Sequence, residues 1–379
     1  MDQSAGENER LIAESVAQLA TAHGGPAAMR ASREQPLSGD AATWRAFVDA
    51  GWLALMVPES KGGAGLGARE LAVLAEQTGR ELLLAPVASA IVAAHVLSRL
   101  GGAAGERMEE LRDGRRIWLP AWSGTDPWPS DEAHALNAAE TSSGVVLNGS
   151  VLRVPDGHWA DGYLLELRCA DRVRTVLLRR DTHGLRQSHS RTVDGSALTD
   201  LVCTDALVEP DDVFDSPAEG ETAMHQGFRA MRLGVAAELV GMMDRALSLT
   251  ADYLKVRRQF GRPIGAFQAM QQLAASAYVD LQASRALVRE ACVAAGGDRG
   301  EVAAAAAKAR ASEAALRVTK TAIQCHGAIG FADEHDIGLF HRRALVLSGR
   351  FGNACWQRRA YLKSRGIGRD VGREVRWIS

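Results

Sequence analysis

Cysteine, net charge and long apolar runs are all scarce in this chain, and each shortage closes off a class of protein. The five cysteines, Cys169, Cys203, Cys292, Cys325 and Cys355, are scattered and odd in number, with no C-x-x-C pair. That pattern argues against a disulfide framework and a zinc or other metal site, and fits a reduced, cytoplasmic protein. A net charge of −2 over 379 residues gives no long-range field to draw in nucleic acid. No stretch approaches the length of uninterrupted apolar sequence that spans a bilayer. The opening segment is polar and acidic and does not read as a secretory leader. The glycine-rich segment Lys61–Gly67 lacks G-K-[ST] and a preceding strand, so it reads as a turn and not as a phosphate cradle. What is present is ordinary for a globular protein, with 46% hydrophobic and 24% charged residues. The length suffices for two or three domains around a well-buried core.

Three zones differ in pattern. Over residues 1–118 apolar residues recur at helical spacing. One set is Leu11, Ser15, Val16 and Leu19, a second is Trp44, Phe47, Val48, Gly51 and Leu55, and a third is Leu71, Leu74, Ala75 and Thr78. Asp40 is placed to cap the second helix, and Gly79 marks a weak point near the end of the third. Over 119–220 the runs shorten. Gly144–Gly149 reads as a strand entering an Asn-Gly turn, Tyr163–Leu167, Arg174–Leu178 and Leu201–Thr204 as further strands, and Asp194-Gly195 as another turn. Over 221–379 the helical period returns. The Ala-rich segment Ala303–Ala315 favours helix by propensity alone, and Gly296-Gly297-Asp298 separates two helices. Helices, then strands, then helices predicts an α+β, mostly α chain with a β domain held between two helical domains.

The segment Tyr253-Leu-Lys-Val-Arg-Arg-Gln-Phe-Gly-Arg-Pro-Ile-Gly-Ala-Phe-Gln268 resembles the FAD-contacting signature of the acyl-CoA dehydrogenase family, Y-x-x-x-R-x-Q-F-G-x-P-I-x-x-F-Q. Two other segments resemble the same family in the right order. Trp44 through Gly65 is similar to its N-terminal helix and loop, and Gln324-Cys-His-Gly-Ala-Ile-Gly-Phe331 to its Q-x-x-G-G-x-G-[YF] turn, followed by Arg342-Arg343-Ala344 where R-D-A is common. The resemblance implies an N-terminal helical domain, a β-barrel-like middle domain and a C-terminal four-helix bundle. It implies FAD as cofactor, with Arg257 on the pyrophosphate, Phe260 as an aromatic face, and Gln268, Gln324, Gly327 and Ala328 contacting the nucleotide of a neighbouring subunit. A bidentate cation suits a pyrophosphate, and glycine permits close backbone approach. Ala328 stands where the family has a second glycine. Taken alone, His326, Arg258 and Glu334 read as structural or solvated residues.

The resemblance further implies α,β-desaturation of an acyl-CoA thioester, with a carboxylate base, an electron-transfer flavoprotein or similar acceptor, and a homo- or hetero-tetramer. The base is missing from both places where the family keeps it. Nine residues beyond Arg342 stands Phe351, and 26 residues before Arg257 stands Met231. Glu238, two turns beyond Met231 on nearly the same face, is a weak candidate displaced by about 10 Å along the helix. The flavin-edge segments also depart from the family pattern. Thr125-Asp126-Pro127 stands near the family's T-E-P, and Leu152-Arg-Val-Pro155 where a W-I-T edge is usual, with Pro155 removing a backbone donor. Trp159-Ala160-Asp161 keeps a family pattern of structural character. The combination resembles the base-lacking subunit of heteromeric bacterial acyl-CoA dehydrogenases. A homomeric enzyme with a relocated base, a flavin-dependent monooxygenase on the same scaffold, and a purely structural partner remain alternatives, while Phe351 argues against a nitroalkane-type oxidase.

Overall fold

The computed structural model describes residues 3–35, 37, 40–122, 136–169, 172–215 and 221–365. The N-terminal part consists of α1 (Gln3–His23), α2 (Gly25–Ser32), α3 (Ala41–Asp49), α4 (Ala68–Glu81), α5 (Val87–Arg99) and α6 (Ala104–Arg112). Asp40 caps α3 as expected, its carboxylate accepting from the Ala42 amide at 3.0 Å and the Thr43 hydroxyl at 2.6 Å. The second apolar set is not one helix, however. Gly51 takes φ 73, which ends α3 and starts a separate 3-10 turn over Trp52–Ala54. That turn stacks Trp52 on Phe47 at 5.5 Å.

Gly79 falls in the last turn of its helix, as expected, and also has a packing role. It lies inside α4, where an added Cβ would overlap the Glu238 carbonyl; an added Cβ on Gly241 would likewise overlap the Glu76 carbonyl. The two glycines let α4 and the long helix α7 (Ala223–Val256) cross backbone to backbone.

Among the described residues the middle part holds two four-stranded sheets. One has the order β1-β4-β5-β8, built from β1 (Trp118–Pro120), β4 (Gly162–Cys169), β5 (Arg172–Arg179) and β8 (Val213–Asp215). The other has the order β2-β3-β7-β6, built from β2 (Asn137–Thr141), β3 (Gly144–Pro155), β6 (Leu185–Arg191) and β7 (Ala197–Val208). Each sheet keeps two edge strands, so the barrel-like expectation is corrected to a pair of open sheets. The Asn148-Gly149 turn is corrected as well: β3 runs straight through it, with a register shift between Leu147 and Gly149 against β7. The glycine absorbs an irregularity in the ladder instead of reversing the chain. Asp194-Gly195 does turn, with Gly195 at φ 90 between β6 and β7. Thr125-Asp126-Pro127 lies outside the described residues.

The C-terminal part packs α7, α8 (Gln268–Ala294), α9 (Gly300–His326) and α10 (Ile337–Gly349) as a bundle, with α11 (Ala354–Ser364) laid against α9. At about 1.5 Å per residue, α7 is about 50 Å long. Its residues Leu233 through Met243 are almost all buried, because other helices flank it on several sides. Alanines at 304, 305, 307, 311, 314 and 315 give α9 a small-residue surface on which α7, α8 and α10 pack closely. Among the described residues no helix is long and apolar enough to cross a membrane.

Candidate cofactor groove and the closed cleft

α7 stops at Arg257 because the chain reverses through a two-residue turn, Phe260 at φ 51 and Gly261 at φ 79, between the short strands β9 (Arg258–Gln259) and β10 (Arg262–Pro263). Both turn residues in the left-handed region is the geometry that matches a twisted hairpin. A phenylalanine at such a position is unusual. Here the turn puts the ring out in solvent, 91% exposed, with its edge toward Phe267 at 6.1 Å. Arg262 covers the other ring of that pair at 4.2 Å.

Facing this hairpin is the end of α9, where Gly327 at φ 66 and ψ −142 terminates the helix. Between the two lies a surface groove of about 540 Å³, lined among others by Tyr253, Arg257, Phe260, Gln324, His326, Gly327 and Ala328. The structure thus brings five of the six sequence-chosen cofactor residues to one place. Gln268, the first residue of α8, is exposed and lies outside the lining.

The Arg257 side chain is exposed and has no partner among the described residues. A free guanidinium, an exposed ring and a helix end with open space at Gly327 fit an aromatic nucleotide carrying a diphosphate. Ala328 is itself exposed, so its methyl does not fill the groove from below.

The two expected base positions have the opposite surroundings. Met231 is 4% exposed and Phe351 8% exposed. Phe351 sits at φ 55, followed by Gly352 at φ 94, in the turn between α10 and α11. Its ring meets Trp122 edge-on at 5.5 Å and Phe228 at 6.0 Å, and Trp122 and Phe228 are themselves 5.5 Å apart. Trp122 is fixed by donating to the Met224 carbonyl at 3.1 Å.

The turn is tied down from several sides. Gln357 donates to the Phe351 carbonyl at 2.7 Å, and Asn353 caps α11 by accepting from Trp356 N at 2.9 Å. Lys308, fully buried, donates to Ser312 Oγ at 2.8 Å and to the carbonyls of Ser348 at 3.2 Å and Gly352 at 3.3 Å. Its three acceptors favour the ammonium. Burial opposes it more strongly, with Arg232 adding to the effect, and the pKa falls to about 7. Arg232 is buried too, paired with Glu301, bonded to Gln357 at 3.3 Å and stacked on Phe228 at 5.0 Å.

Glu238 is already engaged. Arg343 donates to its Oε1 from Nε at 2.9 Å and from Nη2 at 2.6 Å, and to Asp194 Oδ2 from Nη1 at 2.8 Å. Asp194 also accepts from the hydroxyls of Thr192 and Ser196 at 2.6 and 2.7 Å. Burial works against ionisation of Asp194, but Arg343 and Arg350 outweigh it and hold the carboxyl at about 2. Burial likewise opposes the charge on Arg343, and Glu238 and Asp194 overcome it, so its pKa is raised.

The chain of charges continues from Ser196 to Arg350 and on to Asp156, which accepts two bonds at 2.8 and 3.1 Å. Asp156 follows Pro155, the last residue of β3, and Arg350 precedes Phe351, so the flavin-edge segment and the base-position turn are joined directly. Asp161 is structural as expected, accepting from Ile117 N at 2.9 Å.

A helical bundle with an open groove, set beside two sheets and an N-terminal helical layer, is the architecture of the FAD-dependent acyl-CoA dehydrogenase family, and the chain belongs to it. The family's N-terminal domain profile matches residues 6–105 and its C-terminal domain profile residues 218–364. The chain is 31% identical over 342 residues to acyl-CoA dehydrogenase IpdE2 of Mycolicibacterium smegmatis, covering 89% of this chain and 92% of that protein. It is 27% identical to acyl-CoA dehydrogenase FadE27 of Mycobacterium tuberculosis, covering 88% of each. Among solved structures it superposes on a chain of the ChsE4–ChsE5 complex of Mycobacterium tuberculosis with a TM-score of 0.85 at 25% identity, covering 97% and 98% of the two chains. It superposes equally well, with a TM-score of 0.85 at 29% identity and 96% and 98% coverage, on a Tcur3481–Tcur3483 steroid ACAD variant.

Sequence reasoning missed Tyr253 as a groove wall and set His326 aside. It also missed Trp122, Phe228, Arg232 and Lys308 around Phe351. Lys308 did carry a signal, as a lysine directly after the run of five alanines Ala303–Ala307. The rings carried none, because Trp122, Phe228 and Phe351 are more than 100 residues apart along the chain.

Proposed function

We propose that this chain is a non-self-sufficient subunit of a heteromeric acyl-CoA dehydrogenase, completing the FAD site of a related partner that carries the base. The observation that carries this reading is the contrast between an open groove with a free Arg257 and a base position filled by Phe351 among Trp122 and Phe228. When bound, FAD supplies the acceptor for the β-hydrogen in α,β-desaturation of an acyl-CoA thioester. This chain's contribution is to hold the diphosphate through Arg257 and wall the nucleotide with Phe260 and Gln324. A carboxylate must remove the α-proton, and neither Met231 nor Phe351 can do so. Glu238 does not favour the relocated-base alternative, because Arg343 occupies its Oε1 from two nitrogens.

Exposed apolar side chains around the groove, Val256 and Phe331 among them, provide a surface for the partner. Support also comes from ChsE4–ChsE5, a complex of two differently named chains, and from Tcur3481–Tcur3483, called a steroid ACAD. We therefore place a steroid-derived acyl group first among substrates, an electron-transfer flavoprotein as acceptor, a heterotetramer as assembly and the cytoplasm as location. The test is flavin content and turnover of the purified chain, alone and co-expressed with its genomic neighbour. Flavin and activity that arrive only with the neighbour support the reading; a yellow, active assembly of this chain alone overturns it.

A further inference from the structure

The groove has a floor that the family signature does not describe. The His326 ring stacks on Tyr253, with centroids 4.5 Å apart and planes 22° from parallel, and its other side meets His335 at 4.7 Å. His326 is only 4% exposed yet lines the groove together with Tyr253 and Arg257. Its Nδ1 lies 2.8 Å from the Ala322 carbonyl, so Nδ1 carries a proton and donates, leaving Nε2 as the nitrogen free to gain one. The next residue is Gly327, where the open backbone of the helix end begins.

Two opposing effects act on this ring. It sits in the last turn of α9, where the helix dipole favours a cation. Burial holds it below the ordinary imidazole range; the Ala322 carbonyl pulls the other way, and His335 adds to the fall. The titratable and charged groups facing it are Tyr253 from α7, His335 from the turn before α10, and Arg257 across the groove, while α8 contributes the uncharged Ala269 and Met270. His335 accepts at Nδ1 from the Ile337 amide at 3.2 Å, which places a proton on its Nε2. Among the described residues no carboxylate lines this groove, so a bound diphosphate would supply the negative charge that the stack lacks.

We infer that His326 is a positioning residue that takes up a proton when a nucleotide diphosphate enters the groove, fixing Tyr253 and the Gly327 turn against it. The inference rests on the reading of the groove as a diphosphate site. A ligand that raises the pKa of a group binds more tightly below that pKa and loses the advantage as pH rises through it. The groove therefore grips its ligand better near pH 6 than near pH 8, by about tenfold for each unit that the imidazole pKa rises.

The probe is adenosine diphosphate, titrated by calorimetry into the full chain in two buffers of different ionisation heat. Wild type is expected to take up protons on binding near pH 6.5, and its affinity to fall toward pH 8. The variant His326→Phe, which keeps the stack on Tyr253, is expected to bind with less proton uptake and a shallower pH profile than wild type, leaving only what the probe's own terminal phosphate contributes. His326→Gln gives a second, non-titrating check should the larger ring perturb folding. Equal proton uptake in wild type and both variants, no uptake in wild type, or no binding of the probe to wild type at pH 6 overturns the inference. The reading of the groove fails separately: if Arg257→Gln binds the probe as tightly as wild type, the diphosphate is not held there.

Discussion

Two regions of one helical bundle, one at the C-terminal ends of α7 and α9 and the other along the first half of α7, have been finished in opposite ways. At the groove the chain leaves chemistry open, with a guanidinium that has no partner among the described residues, a phenylalanine held out in water at a left-handed position, and a helix ended by glycine. At the cleft the corresponding resources are used up internally. Arg343 and Arg350 are paired with Glu238, Asp194 and Asp156, and Phe351 takes the same unusual backbone region only to bury its ring. The same strained geometry thus serves presentation in one place and packing in the other. Strain by itself marks a position that the surrounding structure over-determines, and the surroundings decide whether it is functional.

The largest expected effect comes from breaking the closed side. Arg343→Met leaves the buried Asp194 and the partly buried Glu238 without the guanidinium that bonds to both, at a cost of about 3–5 kcal/mol, since removing one partner of a buried pair strands the other. Chemical denaturation should show the full loss. A change within experimental error would mean that the network is not what ties the sheets to the bundle. On the open side, Arg257→Gln removes the charge-assisted contact proposed for the diphosphate, worth about 1.5–3 kcal/mol, or about 10–100-fold in flavin affinity of the assembled enzyme. Its stability without flavin should stay within about 0.5 kcal/mol of wild type, as for a surface change that breaks no packing. The pair of variants separates the two regions, because one should move stability and the other ligand affinity.

Much of the open side was legible from the sequence, because its residues fall in two continuous segments, Tyr253–Gln268 and Gln324–Phe331, each carrying its own turn signals. The closed side was legible only as an absence. Counting along the chain found Phe351 and Met231 where a carboxylate was expected, but the partners that explain them come from the end of β1, the start of α7 and the α10–α11 turn. Charge pairing was hidden for the same reason: nothing local ties Asp156 to Arg350, 194 residues apart. The Asn148-Gly149 misreading is of another kind. An Asn-Gly pair is a strong hairpin signal only when nothing else pairs with the strand, and here β7 continues the ladder past it.

A third test asks whether the closed side depends on pH. Lys308 has a folded pKa of about 7 against 10.5 in the unfolded chain. Between those values the unfolded chain holds a proton that the folded chain has released, so unfolding takes up a proton and stability rises with pH across that window. Below about 7 both states carry the proton and the dependence disappears. Lys308→Met, similar in length and without a charge to bury, should flatten the rise from pH 7 to 10. An unchanged slope would assign it to another group.

The smallest effect belongs to the one family departure on the open side. Ala328 is exposed in the turn Gly327–Phe331, and its methyl replaces a hydrogen where the family has a second glycine. Because the methyl fills no buried space, restoring glycine gains no room beneath the groove and adds only backbone freedom to the unfolded chain, at a cost of about 0.5–1 kcal/mol in stability. Flavin affinity of Ala328→Gly should therefore stay within about twofold of wild type, a difference of about 0.4 kcal/mol. A tenfold tightening would show that the methyl stands against the bound nucleotide after all. The open side would then share the character of the closed one, a family site partly filled by this chain's own side chains.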